Sequence, residues 1–323
     1  MKETLIVVNP TSGGGRTEKR WPQIERVLAG SGLDFQVAFT TGPGDATRIA
    51  RRGIREGRSL IVAAGGDGTI SETAAGFFSE GAPIPGPTRF GVLPTGTGGD
   101  FRRTFDIPID PAAAARVLVG GAQRRIDAGL VRYIDHGGHP EQRVFVNIAD
   151  AGIGGDVVRR VNTGPKSLPG PVTFYLATVR SLLAWRNRPV AVTVDGLRRE
   201  LVAQQVVVAN CQYYGGGMRI APMAVPDDGL LDLVLIGDVN LVENARGLGK
   251  LRKGTHLEER SPKWMVFRGR RVEVESPYPI PLDVDGEGPG TLPASFEVIP
   301  KALTLMVPAS TPRSASTSRG PRN

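Results

Sequence analysis

The residues of this chain best suited to chemistry are carboxylates set among glycines. The run AAGGDGTISETAAGF, from Ala63, puts Asp67 between Gly66 and Gly68, after an apolar stretch and ahead of a helical pattern. Glycines at a strand end let backbone N–H groups approach a phosphate closely, and the start of the next helix adds its positive dipole end. Gly65, Gly66, Asp67, Gly68 and Thr69 therefore suit a phosphate cradle. Asp67 would not touch the phosphate, since two anions repel; its options are to orient a lysine or water, receive a hydroxyl proton, or hold a metal ion on nucleotide oxygens. The plainer alternative is a tight turn, with Glu72 as a capping-box partner.

Two further loops share this chemistry. Asn9-Pro10-Thr11-Ser12-Gly13-Gly14-Gly15-Arg16 is glycine-rich but lacks the closing Gly-Lys-Ser/Thr of a Walker loop. Pro94-Thr95-Gly96-Thr97-Gly98-Gly99-Asp100-Phe101 offers hydroxyls and bare N–H groups ahead of another helix. Late in the chain, Asp283-Val284-Asp285-Gly286-Glu287 concentrates carboxylates on a turn: a solvated hairpin, or a general base or metal ligand delivered to a cleft. Asp227-Asp228-Gly229 is similarly ambiguous between a turn and a hard-cation site. His136, His139 and His256 have no zinc-like spacing, and no Gly-x-Ser-x-Gly elbow occurs.

The elements that must position these loops alternate in the first third. Strands are expected at 5–8, 35–39, 60–64 and 90–93, and helices at 17–29, 45–56 and 71–79. This order predicts a Rossmann-like parallel α/β domain, with ligands beyond the carboxyl ends of the strands, where all three glycine loops fall. Three such loops on one edge point to a phosphate or nucleotide site. Asp110-Pro111 and AAAARVLVGG form an N-cap, a first-turn proline, a helix and a glycine stop, closing the domain. From Arg125 the texture becomes β-rich, as in an antiparallel β-sandwich, with one clear helix from Val172 and a weaker one at VENARGLGKL. The expected divisions are 1–124, 125–308, whose last segment could return to the first domain, and a disordered polar tail at 309–323.

With 323 residues the chain has room for two domains. Its net charge of +8 comes from arginines spread over the whole length, compatible with a solvated surface, an anionic membrane or phosphorylated substrates. Nucleic acid ranks last as a partner, because aromatics are 6% and do not interleave with basic residues. The single Cys211 follows an apolar run, suits burial and allows no internal disulfide, consistent with the cytoplasm. The short apolar N-terminal run reads as a strand and not a signal peptide, and no window has the roughly 18 apolar residues of a spanning helix.

The ordered set VVNPTSGGGR, FTTGPGDA, AAGGDGTISE, GVLPTGTGGDFRRTF, FVNIADAGIGGDVV, APMAVPDDGLLDLVLI and LDVDGE resembles the diacylglycerol kinase catalytic-domain family, which includes bacterial soluble lipid kinases and the sphingosine and ceramide kinases. The resemblance implies a two-domain kinase with ATP in the cleft, bound by Asn9 to Gly13, Thr40, Gly66 to Glu72 and Thr97. It implies that Asp285 and Glu287 are the catalytic acidic pair, one of them accepting the lipid hydroxyl's proton. It also implies Mg2+ held by the Val225 carbonyl, Asp228 and the Leu230 carbonyl. The expected substrate is diacylglycerol or a related lipid alcohol, met by peripheral docking on an anionic membrane; a homodimer is left open. Two departures touch nucleotide-loop hydrogen bonds: Gly98-Gly99-Asp100 stands where the family usually has x-Asn-Asp, and Ser71 replaces a common asparagine. The rivals are an NAD kinase, which shares the GGDG pattern, and a catalytically silent lipid-binding protein.

Overall fold

The structure, a computed structural model, describes residues 3–164, 170–258 and 261–309. The tail expectation, apart from Ala309, lies outside the described residues. The first domain runs β1 (Thr4–Val8), α1 (Arg16–Gly30), β2 (Phe35–Phe39), α2 (Asp45–Arg55), β3 (Leu60–Gly65), α3 (Asp67–Ala75), the short β4 (Phe78–Ser79) and β5 (Ala82–Pro83), β6 (Arg89–Pro94), α4 (Asp100–Thr104) and α5 (Pro111–Gly120). There follow β7 (Ala122–Asp135), β8 (Pro140–Phe145), β9 (Ile148–Gly152), α6 (Ile153–Thr163), α7 (Gly170–Ala184), β10 (Arg188–Val194), β11 (Leu197–Ala203), β12 (Gln205–Ala209) and β13 (Leu231–Ile236). The chain closes with α8 (Leu241–Lys253), β14 (Trp264–Gly269), β15 (Arg271–Glu275), β16 (Leu282–Val284) and β17 (Gly290–Val307).

Strands β2, β1, β3 and β6 are parallel neighbours in that order. Both faces are covered, which is why β1 is apolar throughout: Leu5 and Val7 pack towards α2 and α3, Ile6 and Val8 towards α1 and α5. Helix α3 starts at Asp67, four residues before the sequence expectation, because the extended Gly66 ends the strand and its carbonyl already accepts the Ile70 N–H at 3.0 Å. The Asp110 carboxylate caps α5 by accepting the Ala113 N–H at 2.9 Å, as its Asp-Pro start predicts.

The second domain is a sandwich. The antiparallel sheet β14-β13-β12-β9-β16 packs against β11-β10-β15-β17 and β7, with Val206, Leu233, Val272, Leu282 and Phe296 in the shared core. The seam is not a break in the sheet. β17 pairs antiparallel with β15 and β7, then reaches β6 in parallel at Leu305–Phe90, so one ten-stranded sheet runs through both domains. Two irregularities in the β7–β17 register let an 18-residue strand follow this change of partner. Cys211 is fully buried in the core that joins the domains. No helix among the described residues is long and apolar enough to cross a membrane.

Candidate active site

The loops after β1, β2, β3 and β6 meet at one edge of the parallel sheet and enclose a cavity of about 440 Å³. Of the residues singled out from sequence, Asn9, Thr11, Ser12, Gly13, Thr40, Gly66, Asp67, Gly68, Thr69, Glu72 and Thr97 line it. A larger depression of about 620 Å³ between α1 and β2, lined by Glu25, Leu33 and Phe35, contains none of the motif residues.

The loops are stitched to one another. Asn9 Nδ2 donates to Thr69 Oγ1 at 3.1 Å, while its Oδ1 accepts from Thr11 N and Oγ1, a local turn that shapes the first loop. A Cβ on Gly96 would lie 2.4 Å from Gly66 Cα, so the second and third glycine loops pack backbone to backbone. Asp67 uses both oxygens on the third loop, accepting from Gly99 N at 2.7 Å and Phe101 N at 3.1 Å. Glu72 bridges to the loop before α2, where its Oε2 accepts the Gly44 N–H at 3.0 Å, rather than capping its own helix. Burial raises the Glu72 pKa, and the nearby Glu287 adds to the shift.

Ile70 and Ser71 are buried in α3 and do not line the cavity, and Gly65, Pro10 and Asp100 also lie outside its lining, for identifiable reasons. Gly65 is packed under the Thr69 side chain, where a Cβ would come within 2.3 Å of Oγ1. Pro10 turns its carbonyl to the Glu18 N–H in α1. Asp100 faces the second domain, accepting from Gly216 N at 2.8 Å and pairing with Arg103 at 2.9 Å; burial raises its pKa, and the Asp67 charge does so further. Sequence reasoning did not single out Thr41, Gly42, Pro43 and Ala46, which also line the cavity. The FTTGPGDA pattern contains them and was the available signal.

The second domain delivers its carboxylate turn to this cavity's edge. Asp285, at φ 52, accepts from Val146 N (2.9 Å), Asn147 N (3.0 Å), Ile148 N (3.0 Å) and, across the domain seam, from Ser71 Oγ (2.8 Å). With four donors it is an anchor between α3 and the β8–β9 corner. Burial still raises its pKa, outweighing the opposing effect of those donors. Glu287 is the open member of the turn: its side chain is 42% exposed and pairs with Arg143 at 2.7 Å. Burial works to lower the Arg143 pKa, but the hydrogen bond and charge of Glu287 leave it raised.

The implied magnesium can be tested against the groups at the Asp227-Asp228-Gly229 turn. Asp228 Oδ1 accepts the Leu230 N–H at 3.1 Å, and Oδ2 is held by Arg268, whose Nε also lies 2.9 Å from Asp232 Oδ1. The Val225 carbonyl accepts the Asp227 N–H at 2.8 Å. Arg124 grips Asp227 through two bonds of 2.9 Å, and Lys301 Nζ donates to the Asp227 carbonyl. Among the described residues no three His, Cys, Asp or Glu side chains converge on a metal position. Val225, Asp228 and Leu230 do not fit a divalent ion while Arg268 holds the Asp228 carboxylate; Arg124 and Lys301 engage the neighbouring Asp227.

A parallel α/β domain with a glycine-loop cavity, joined to a β-sandwich that places a carboxylate turn against α3 beside it, defines a two-domain kinase architecture. Residues 3–131 match the diacylglycerol kinase catalytic domain, and residues 147–307 match the YegS C-terminal NAD kinase beta sandwich-like domain. The diacylglycerol kinase of Bacillus subtilis (strain 168) is 30% identical over 311 residues, covering 95% of this chain and 97% of the relative. That of Staphylococcus carnosus (strain TM300) is 28% identical, covering 95% of each chain. A crystal structure of a candidate diacylglycerol kinase from Bacillus anthracis str. Sterne superposes with a TM-score of 0.74 at 26% identity, over 95% of this chain and 97% of that one. Yeast NADH kinase complexed with NADH shares the fold alone, with a TM-score of 0.55 at 12% identity over 94% and 82% of the two chains. The chain belongs to the diacylglycerol kinase family.

Proposed function

We propose that this protein transfers the γ-phosphoryl group of ATP to the hydroxyl of diacylglycerol or a related lipid alcohol. The observation that carries the proposal is the Ser71–Asp285 hydrogen bond, which pins the carboxylate turn to α3 of the glycine-loop cavity. Glu287 and its partner Arg143 thereby stand beside Glu72 at the cavity rim. The bare N–H groups of the loops and the α3 N-terminus hold the triphosphate. A divalent cation arriving with the nucleotide would supply charge neutralisation for phosphoryl transfer. Glu287 takes the proton of the attacking alcohol as its oxygen bonds to phosphorus and the β,γ-bridging oxygen leaves with ADP. Asp285, saturated by its four donors, positions that turn.

Docking on an anionic bilayer from the water side brings the lipid to this cleft. Exposed Val172, Tyr175 and Leu183 on α7, and Leu241, Val242 and Leu248 on α8 alongside Arg246 and Arg252, suit such a surface. The test is a labelled-phosphate assay with ATP that offers diacylglycerol, a sphingoid base and NAD side by side in mixed micelles. Label in a lipid alcohol is expected; label in NAD alone overturns the reading in favour of an NAD kinase. Lipid binding with no labelled product makes the chain a silent lipid-binding protein.

A further inference from the structure

Asp150 on β9 and Asp283 on β16 are cross-strand partners. The flanking pairs, Ala149 with Val284 and Ala151 with Leu282, point into the sandwich core, so alternation turns both carboxyls to the opposite face, with Cβ atoms about 5 Å apart. Helix α6 closes over them: a Cβ on Gly154 would fall 2.4 and 2.5 Å from the two Asp150 oxygens and 2.6 Å from Gln205 Nε2. Asp150 is 1% exposed and Gln205 3%, and the polar neighbours of Asp150, the Gln205 side chain and the Gly155 N–H, are uncharged. Asp283 is partly buried, and its Oδ1 accepts the Gly286 N–H, at the centre of the carboxylate turn, at 2.7 Å.

No ion pair to Asp150 or Asp283 occurs among the described residues. The titratable groups facing the two are Asp285 and Glu287 on the same turn and Tyr214 from the loop after β12. Beyond Tyr214, whose hydroxyl reaches Gln205 Oε1 at 3.5 Å, stands Asp100 of α4. All of these are acids, and the cation at this turn, Arg143, is paired with Glu287 and acts on Asp285, so none compensates a second negative charge on Asp150 and Asp283. Two neighbouring carboxyls, one buried and one partly buried, with no cation paired to either do not both ionise; one retains a proton. The titration directions agree: burial pushes Asp150 up to about 7, and burial, then repulsion by Asp150, raises Asp283 well above its ordinary value.

We propose that Asp150 and Asp283 share one proton across β9 and β16, forming a positioning pair whose single negative charge holds the Gly286 N–H and with it the turn that presents Glu287. Loss of that proton places two charges across adjacent strands, forces β16 from β9 and loosens the turn. The proton sharing stands on the geometry alone; the positioning role rests on the kinase reading given above.

The experiment measures melting temperature and turnover of the full chain from about pH 5 to about pH 8.5, for the wild type, Asp150→Asn and Asp150→Ala. A carboxyl with a raised pKa contributes stability that is fully present below its unfolded value and is lost as pH rises through the folded value. The wild type should therefore lose melting temperature relative to Asp150→Asn as pH climbs towards about 7. In the kinase assay Asp150→Asn, the neutral isostere of the protonated acid, should retain turnover and move the alkaline fall of kcat up by about one pH unit or more. Asp150→Ala should lower kcat about tenfold while KM for ATP stays within about twofold. Melting differences that are the same at every pH overturn the shared proton. A pH-dependent melting difference with unchanged kcat profiles overturns the positioning role. If the wild type phosphorylates no acceptor, the kinase reading and the positioning role fall together, while the melting data still decide the proton. Should Asp150→Asn fail to fold, Asp283→Asn carries the same melting comparison.

Discussion

Two of the second domain's Asp-Gly turns, at Asp228-Gly229 and Asp285-Gly286, are put to opposite uses by the fold. At Asp227-Asp228-Gly229 three basic side chains converge from β7, β14 and β17, and the carboxylates are spent on Arg124, Arg268 and the Leu230 N–H. At Asp285-Gly286-Glu287 one arginine answers a cluster of acids, the buried Asp285 is satisfied by backbone, and Glu287 is left at the rim of the nucleotide cavity. A turn motif fixes only the backbone bend. Whether its charge is neutralised or kept for chemistry depends on which distant strands lie opposite.

The largest break in this comparison should come from Glu287→Gln. Removing the proton acceptor is expected to lower kcat by about 100-fold or more, read in the labelled-phosphate assay, with urea unfolding little changed. Turnover within about tenfold of the wild type would assign the proton to another group. Asp285→Ala should instead strike the fold: three buried N–H groups lose their acceptor, costing roughly 3 kcal/mol or more in urea unfolding, whereas Ser71→Ala removes one bond and costs about 1–2 kcal/mol.

Arg268→Gln tests the neutralised turn. It leaves the buried Asp232 without its cation, a loss of about 1–2 kcal/mol once the partial exposure of Arg268 is discounted. Burial has already pushed Asp232 up to about 6, with Arg268 opposing. The stability that goes with its proton is present below the ordinary carboxylate range and lost as pH rises through about 6; Asp232→Asn should flatten that part of the wild-type melting profile. The smallest expected effect is that of magnesium alone. Without nucleotide, millimolar Mg2+ or a chelator should leave the melting temperature unchanged, because Arg268 holds the Asp228 carboxylate a bound ion would need. A magnesium-dependent rise abolished by Asp228→Asn would restore the metal site.

Much of the fold was legible along the chain. The all-apolar β1 and β3, the Asp-Pro cap of α5 and the glycine loops at strand ends are local signals, because periodicity and φ requirements act over a few residues. Most of the cavity lining followed from them. What local signals do not carry is the partner of a side chain. Asp67 and Asp100 sit in adjacent glycine loops, yet one stitches its neighbour loop and the other faces the second domain. Gly66 as the extended stop of β3 moved the start of α3, and the Thr41–Pro43 wall of the cavity depends on how the loop after β2 leans inward.

The sequence by itself determined that three phosphate-suited loops share one sheet edge and that two acidic turns lie in a β-rich second half. The tertiary structure decided their roles. Only when β17 crosses from β15 and β7 to β6 does Lys301 reach the Asp227 turn, and only strand register sets Asp283 beside Asp150 and Asp285 under the β8–β9 corner. Electrostatic roles follow distance and burial, and both are set by contacts between residues more than a hundred positions apart.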